Sequence, residues 1–191
     1  VKDRKSVNKK PKYIHGHTGL EVLWTVIPTV IVLWMFWWGW LVYKDMVHAP
    51  QDAMEVHVIG KQWQWQFVYN DGKSTTGDLY VPANKPVKLI MSSEDVLHSF
   101  FVPNFRVKQD VVPGMYTHVW FEAKIPGIHQ IYCTEYCGGL HSGMLARMIV
   151  LTPEQWHNFQ LGKEIDLKTL APDPTFPGYE VLNNVQMLDH Q

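Results

Sequence analysis

The hydrophobic pattern changes period once along the chain. From Val22 to Tyr43 no residue is charged. At a rise of about 1.5 Å per residue, this run of 22 residues spans roughly 33 Å, enough for a hydrocarbon core of about 30 Å. Trp34, Trp37, Trp38, Trp40 and Tyr43 crowd its far end, as aromatic residues do at a membrane–water interface. Pro28 lies inside the run, where a membrane helix tolerates it. Thr18-x-x-Glu21 is the predicted capping box at its start. A cleaved signal peptide has a shorter apolar stretch and a small-x-small cleavage site, which this run lacks.

Beyond residue 52 the period drops to two. Met54, Val56 and Val58 alternate with Glu55, His57 and Ile59, and Val87, Leu89 and Met91 form a second set after Pro86. Residues 115–121, 127–133 and 144–151 read as further strands. Asn70-Asp71-Gly72, Pro82-Ala83-Asn84, Pro113-Gly114 and Pro126-Gly127 supply turn signals. Short strands at this spacing predict a mainly β fold, a sandwich with Greek-key connections. Thr152-Pro153 opens a short helix with proline in its first turn. The expected organisation is a basic cytoplasmic segment (1–17), a transmembrane helix (18–46), a linker (47–52), the β domain (53–152), and a C-terminal helix with an extended tail (153–191). Ala171 to Gly178 is expected to lie on a partner.

Charge sharpens the topology. Residues 1–12 carry six Lys and Arg against one acid, and the remainder nets −6 with histidine neutral. A basic stretch before an apolar run stays on the cytoplasmic side. The adjoining apolar run argues against reading it as a nucleic-acid-binding tail.

The candidate chemistry sits in one loop, Cys133-Thr134-Glu135-Tyr136-Cys137-Gly138-Gly139-Leu140-His141-Ser142-Gly143-Met144. It holds both cysteines of the chain. Thiolate, imidazole and thioether are ligands that select copper, zinc or iron–sulfur clusters over magnesium or calcium. Three glycines argue for a tight loop rather than a helix. Cys137, His141 and Met144 have the order of a blue-copper site, which needs a second imidazole, and His98 is the upstream candidate. The surplus Cys133 allows two thiolates to bridge two metals. A Cys133–Cys137 disulfide, a structural zinc on His98, Cys133, Cys137 and His141, and chance clustering remain alternatives.

The pattern Cys-x-Glu-x-Cys-Gly-x-x-His-x-x-Met, preceded by Ser-Glu-Asp-Val-Leu-His-Ser, resembles the binuclear copper (CuA) site of cytochrome c oxidase subunit II, and the resemblance runs from about Thr18 to Trp156. It implies a cupredoxin-like Greek-key β-sandwich anchored by one N-terminal transmembrane helix. It implies that Cys133 and Cys137 bridge two coppers, with His98 and His141 as terminal ligands. Met144 and the carbonyl of Glu135 are then weak ligands, and the Glu135 carboxylate reaches a magnesium ion shared with the catalytic subunit. The stretch Leu20 to Pro28 resembles the start of the family's second membrane helix, which makes Glu21 the mouth of a proton path. The family usually has two such helices; the first either lies outside this sequence or is absent from a shortened variant.

Trp63 resembles the family's exposed tryptophan, through which electrons arrive from cytochrome c. Trp65, two residues on, would share its face in a strand and is assigned to the core. Excess acid, including Asp71, Asp78, Glu94 and Asp95, is expected to attract a basic donor protein. His57, His118, His129 and His157 are assigned no ligand role. There is no Cys-x-x-Cys-His, hence no covalently attached c-type haem in this chain. The resemblance thus implies an electron-transfer subunit of a terminal oxidase. It would take electrons from cytochrome c or a similar donor and pass them to haem in the catalytic subunit I, where oxygen is reduced and protons are translocated. It would not reduce oxygen by itself. The expected setting is a bacterial inner membrane, in preference to a mitochondrial one, with the copper domain on the periplasmic face. A quinol oxidase subunit would lack the copper ligands, and the copper domain of nitrous oxide reductase would not need the membrane helix.

Overall fold

The structure, a computed structural model, describes residues 15–170. The basic stretch 1–12 and the expected extended segment 171–178 lie outside the described residues. The chain forms two compact units, divided between Asp45 and Met46.

The first unit contains all but the last two residues of helix α1, Thr18–Val47, a single element that runs through Pro28. Its apolar residues are exposed on every side, as suits a helix whose surroundings are themselves apolar. By length and composition it can cross a membrane. The aromatic end is organised by ring stacking, Trp34 on Trp38 (6.3 Å between centroids) and Trp40 on Tyr43 (5.9 Å). The capping box is displaced by one residue from the sequence expectation. His17, not Thr18, caps the helix: its Nδ1 accepts the Leu20 amide (3.2 Å), and the Glu21 carboxylate accepts the His17 amide (3.3 Å). Two orphan donors of the first turn are satisfied in this way. The helix continues to Val47, so Lys44 sits in its last turn, where a cation complements the helix dipole.

The second unit is a sandwich of two five-stranded sheets. The strands are β1 (Met54–Lys61), β2 (Gln64–Tyr69), β3 (Ser74–Thr76), β4 (Asp78–Pro82), β5 (Pro86–Ser93), β6 (His98–Val102), β7 (Val107–Val111), β8 (Thr117–Glu122), β9 (Gly127–Cys133) and β10 (Leu145–Leu151). One sheet has the order β3-β2-β1-β5-β8 and the other β4-β10-β9-β6-β7. Pairings are antiparallel except β1 with β5 and β4 with β10. The mainly β architecture expected from the alternation is therefore present, with a parallel pair in each sheet.

Alternation builds the core. Val56 and Val58 of β1, Trp65 and Phe67 of β2, Leu79 and Val81 of β4, and Val87, Leu89 and Met91 of β5 are all fully buried between the sheets. Strand β9 departs from period two, being buried at six of its seven positions. The reason is a second apolar cluster, Ile128, Ile149, Leu151 and Leu170, against which Trp156, Phe159, Ile165 and Leu167 pack. A strand covered on both faces loses its alternation. Met115 and Tyr116, expected in a strand, are exposed in the turn before β8.

Helix α2, Pro153–Gln160, helps cover this second cluster. Its start is fixed by a reciprocal cap: Thr152 Oγ1 accepts the Gln155 amide (3.3 Å) and Gln155 Oε1 accepts the Thr152 amide (3.0 Å). Thr152→Ala is expected to destabilise the second unit by about 1 kcal/mol. A lowered thermal midpoint of the full chain in detergent is the measurement that checks it.

Candidate metal centre

The register of two strands sets up the site. Strands β6 and β9 run antiparallel, with Phe100 opposite Cys133. This places His98, the first residue of β6, and Cys133, the last of β9, at one end of the sandwich. The loop from Thr134 to Met144 then returns to β10. It is pinned by Thr134 N–H to the Ser99 carbonyl (2.9 Å) and by Cys133 N–H to the Met144 carbonyl (3.3 Å). A short 3-10 turn, His141–Gly143, tightens it.

The donor atoms converge. Cys133 Sγ lies 3.8 Å from Cys137 Sγ, 3.8 Å from His98 Nδ1 and 3.4 Å from the Glu135 carbonyl oxygen. Cys137 Sγ lies 3.5 Å from His141 Nδ1 and 3.7 Å from Met144 Sδ. The two thiols are free and are not bonded to each other. Ligand atoms of His98, Cys133 and Cys137 all fall within 4.8 Å of one another. His98 and Met144 are fully buried, Cys133 and Cys137 nearly so, and His141 is half-buried. Soft sulfur and imidazole donors, unbonded to each other and shielded from water, suit a thiophilic transition metal. The sequence-predicted set of His98, Cys133, Glu135, Cys137, His141 and Met144 is brought together here.

Electrostatics set the protonation of the donors. Burial pushes the Cys137 thiol up to about 12, and the neighbouring Cys133 pushes in the same direction. Forming a thiolate there needs a cation, so metal binding must release protons. Burial would also raise Asp95, but the Gln62 amide, His98 and the Val96 amide together hold it down to about 2. Asp95 Oδ1 is 2.8 Å from His98 Nε2. An ionised carboxylate only accepts, so Nε2 donates to Asp95, and Nδ1 is the ring nitrogen turned toward Cys133 Sγ. Sequence reasoning named Asp95 only as a surface acid. Its place three residues before His98 was the available signal.

Glycine at position 60 makes room for this imidazole. A Cβ there would lie 3.0 Å from His98 Cδ2 and 3.3 Å from the Trp65 ring. Trp65 is fully buried and meets His98 edge-on, as its core assignment requires.

Trp63 differs from expectation in two ways. It lies in the turn between β1 and β2 rather than in a strand with Trp65, and it is half-buried rather than exposed. The indole packs against the ligand loop at Gly138. Its Nε1 has no hydrogen-bond partner among the described residues. The residue that sequence reasoning missed is Gln62. Its main-chain N–H donates to Asp95 Oδ2 (2.7 Å) and its side-chain amide to the Cys137 carbonyl (2.8 Å).

Three of the four acids named for donor attraction, Asp71, Asp78 and Glu94, are ion-paired within the chain. Asp78 takes both arms of Arg147 at 2.7 Å, Asp71 pairs with Lys73 and Glu94 with Lys61 (3.2 Å each). Residues 48–170 hold ten Lys and Arg against twelve Asp and Glu. Most of the acidic excess therefore comes from elsewhere in the chain. Among the other histidines, His57, His118 and His157 are exposed, and His129 is buried against the Phe105 ring (4.9 Å).

Residues 74–151 match the family model described as cytochrome c oxidase subunit II, periplasmic domain. Cytochrome c oxidase subunit 2 of Alkalihalophilus pseudofirmus is 34% identical over 165 residues, covering 83% of this chain and 48% of the relative. Cytochrome c oxidase subunit 2 of Metridium senile is 30% identical over 174 residues, covering 78% of this chain and 70% of the relative. The chain spans about half the length of the first curated relatives it matches. Among solved structures, the periplasmic domain of subunit II of cytochrome oxidase (CoxB) of Bradyrhizobium japonicum is similar. It has a TM-score of 0.58 and 26% identity, covering 65% of this chain and all of that one. The cupredoxin-like fold of the second unit is shared with it.

Proposed function

Because the chain belongs to the cytochrome c oxidase subunit II family, we propose that it serves a haem–copper oxidase as its electron-receiving subunit. In this reading α1 anchors the outer domain in a bacterial inner membrane, with the domain on the periplasmic face. Cytochrome c or a similar one-electron donor docks at the copper end, and haem in catalytic subunit I is the destination. A bound copper pair supplies one-electron acceptance and release. The chain's own residues do the rest. Cys133, Cys137, His98 and His141 would hold the copper, with Met144 and the Glu135 carbonyl as weaker contacts. Asp95 orients the His98 ring, and the strands exclude water from the sulfurs. The Glu135 carboxylate is assigned to a magnesium ion shared with subunit I, and Glu21 to the mouth of a proton path.

The observation that carries this reading is the pair of unbonded thiols 3.8 Å apart, one with His98 beside it and the other with His141. A disulfide would bring the sulfurs to about 2 Å. A closed zinc site uses four ligands, and here a thioether and a carbonyl converge as well. Metal analysis of the purified full chain with electron paramagnetic resonance tests it. Two coppers sharing one unpaired electron support the relay; one zinc without a signal rejects it.

The engaged acids lead to a further expected result. Reduction of the copper-loaded chain by cytochrome c should change by no more than about threefold between low and physiological salt, whereas steered encounters lose about tenfold or more. Stopped-flow rates across a salt series check this, and a steep fall would restore electrostatic steering as the main cause of fast encounter.

A further inference from the structure

We infer that Gln62 is a positioning residue: it latches the Trp63 turn onto the metal loop and thereby sets the contact between the indole and Gly138. The inference rests on the relay reading for its consequence, but not for its geometry. Gln62 joins three segments. Its main-chain N–H donates to Asp95 Oδ2, and the other oxygen of that carboxylate meets His98. Its side-chain amide donates to the carbonyl of Cys137. The next residue along the chain is Trp63.

The opposing surface is shaped to receive this turn. Gly138 has φ +120°, where an L side chain is strained. A Cβ there would stand 3.1 Å from Gln62 Nε2, 3.2 Å from Trp63 Cζ2 and 3.3 Å from Trp63 Nε1. The bare glycine thus lets the amide and the indole both touch the loop beside Cys137. The Trp63 indole makes no hydrogen bond of its own among the described residues, so packing and the Gln62 bonds hold it in register. Electron tunnelling weakens exponentially with every widened gap, which makes the register of this contact a rate-determining variable.

Gln62→Met keeps the length of the side chain and leaves the main-chain bond to Asp95 able to form. It removes only the donor to the Cys137 carbonyl. In the metal-free full chain, alkylation of the two buried thiols should accelerate about five- to tenfold, as expected when one hydrogen bond holding a loop is lost. In the copper-loaded chain, reduction by cytochrome c within the docked complex should slow by about tenfold to a hundredfold, the scale of a small misplacement. The half-saturating cytochrome c concentration and the copper resonance signal should stay as in the wild type. Gln62→Glu, which offers an acceptor where a donor is needed, should behave in the same way and guards against a folding failure particular to methionine. Unchanged alkylation together with an unchanged reduction rate overturns the latch. An altered copper signal also overturns it, because the side chain would then be shaping the metal site itself. The alkylation arm needs no metal, so it judges the latch even if the relay reading fails.

Discussion

Cys133→Ser is expected to abolish the shared-electron copper signal and to lower metal retention by more than about a hundredfold, since the loss of an outer-shell partner alone costs up to about that much. The reason is its central position. Cys133 Sγ is the atom nearest at once to Cys137 Sγ, His98 Nδ1 and the Glu135 carbonyl. Serine offers a smaller, harder oxygen, which neither spans two soft metal ions nor shares charge between them. The change leaves the fold largely alone, because Cys133 is the last residue of β9 and its main-chain pairing does not depend on the thiol. Circular dichroism should therefore match the wild type while the resonance spectrum changes completely. Retention of the wild-type spectrum would remove bridging from the account.

Local sequence order carried most of this site, because four of its side chains come from one twelve-residue loop whose spacing survives folding. His98 needed the β6–β9 register, which no spacing displays. It was legible only as the upstream imidazole that the order of the loop ligands called for. The strands with clean alternation, β1 and β5, were legible for a different physical reason: each has one face against the core. Strand β9 was bounded by Pro126-Gly127 and by the ligand loop, although its double-sided burial erased the period. What the sequence hid was non-local. Arg147 lies 69 positions from Asp78 and Lys61 lies 33 from Glu94, so Asp78 and Glu94 read as unpaired acids although each has a cation partner. The run Gln62-Trp63-Gln64-Trp65 alternates as a strand does, but the tight turn falls inside it and separates the roles of its two tryptophans. His17 escaped notice because imidazole is not among the usual cap side chains.

The separated roles make the two tryptophans a matched pair. Trp63→Phe is expected to slow reduction of the copper-loaded chain by cytochrome c by about a hundredfold, the scale at which a lost ångström of alignment acts. Phenylalanine lacks the fused second ring and the Nε1 that carry the indole across to Gly138, so a gap opens on the side facing the ligand loop. Trp63 contributes no ligand atom, and the copper signal should be unaltered. Trp65→Phe is the counterpart. This ring is fully buried and packs edge-on against His98 and Phe100 at 5.9 and 5.5 Å. Shrinking it leaves a cavity, which should cost stability of the order of 1 kcal/mol or more and disturb the His98 environment in the resonance spectrum. Donor docking should be unaffected. If Trp65→Phe slowed reduction with an intact copper signal, and Trp63→Phe did not, electrons would be arriving through the core of the sandwich and not through the turn that Gln62 holds.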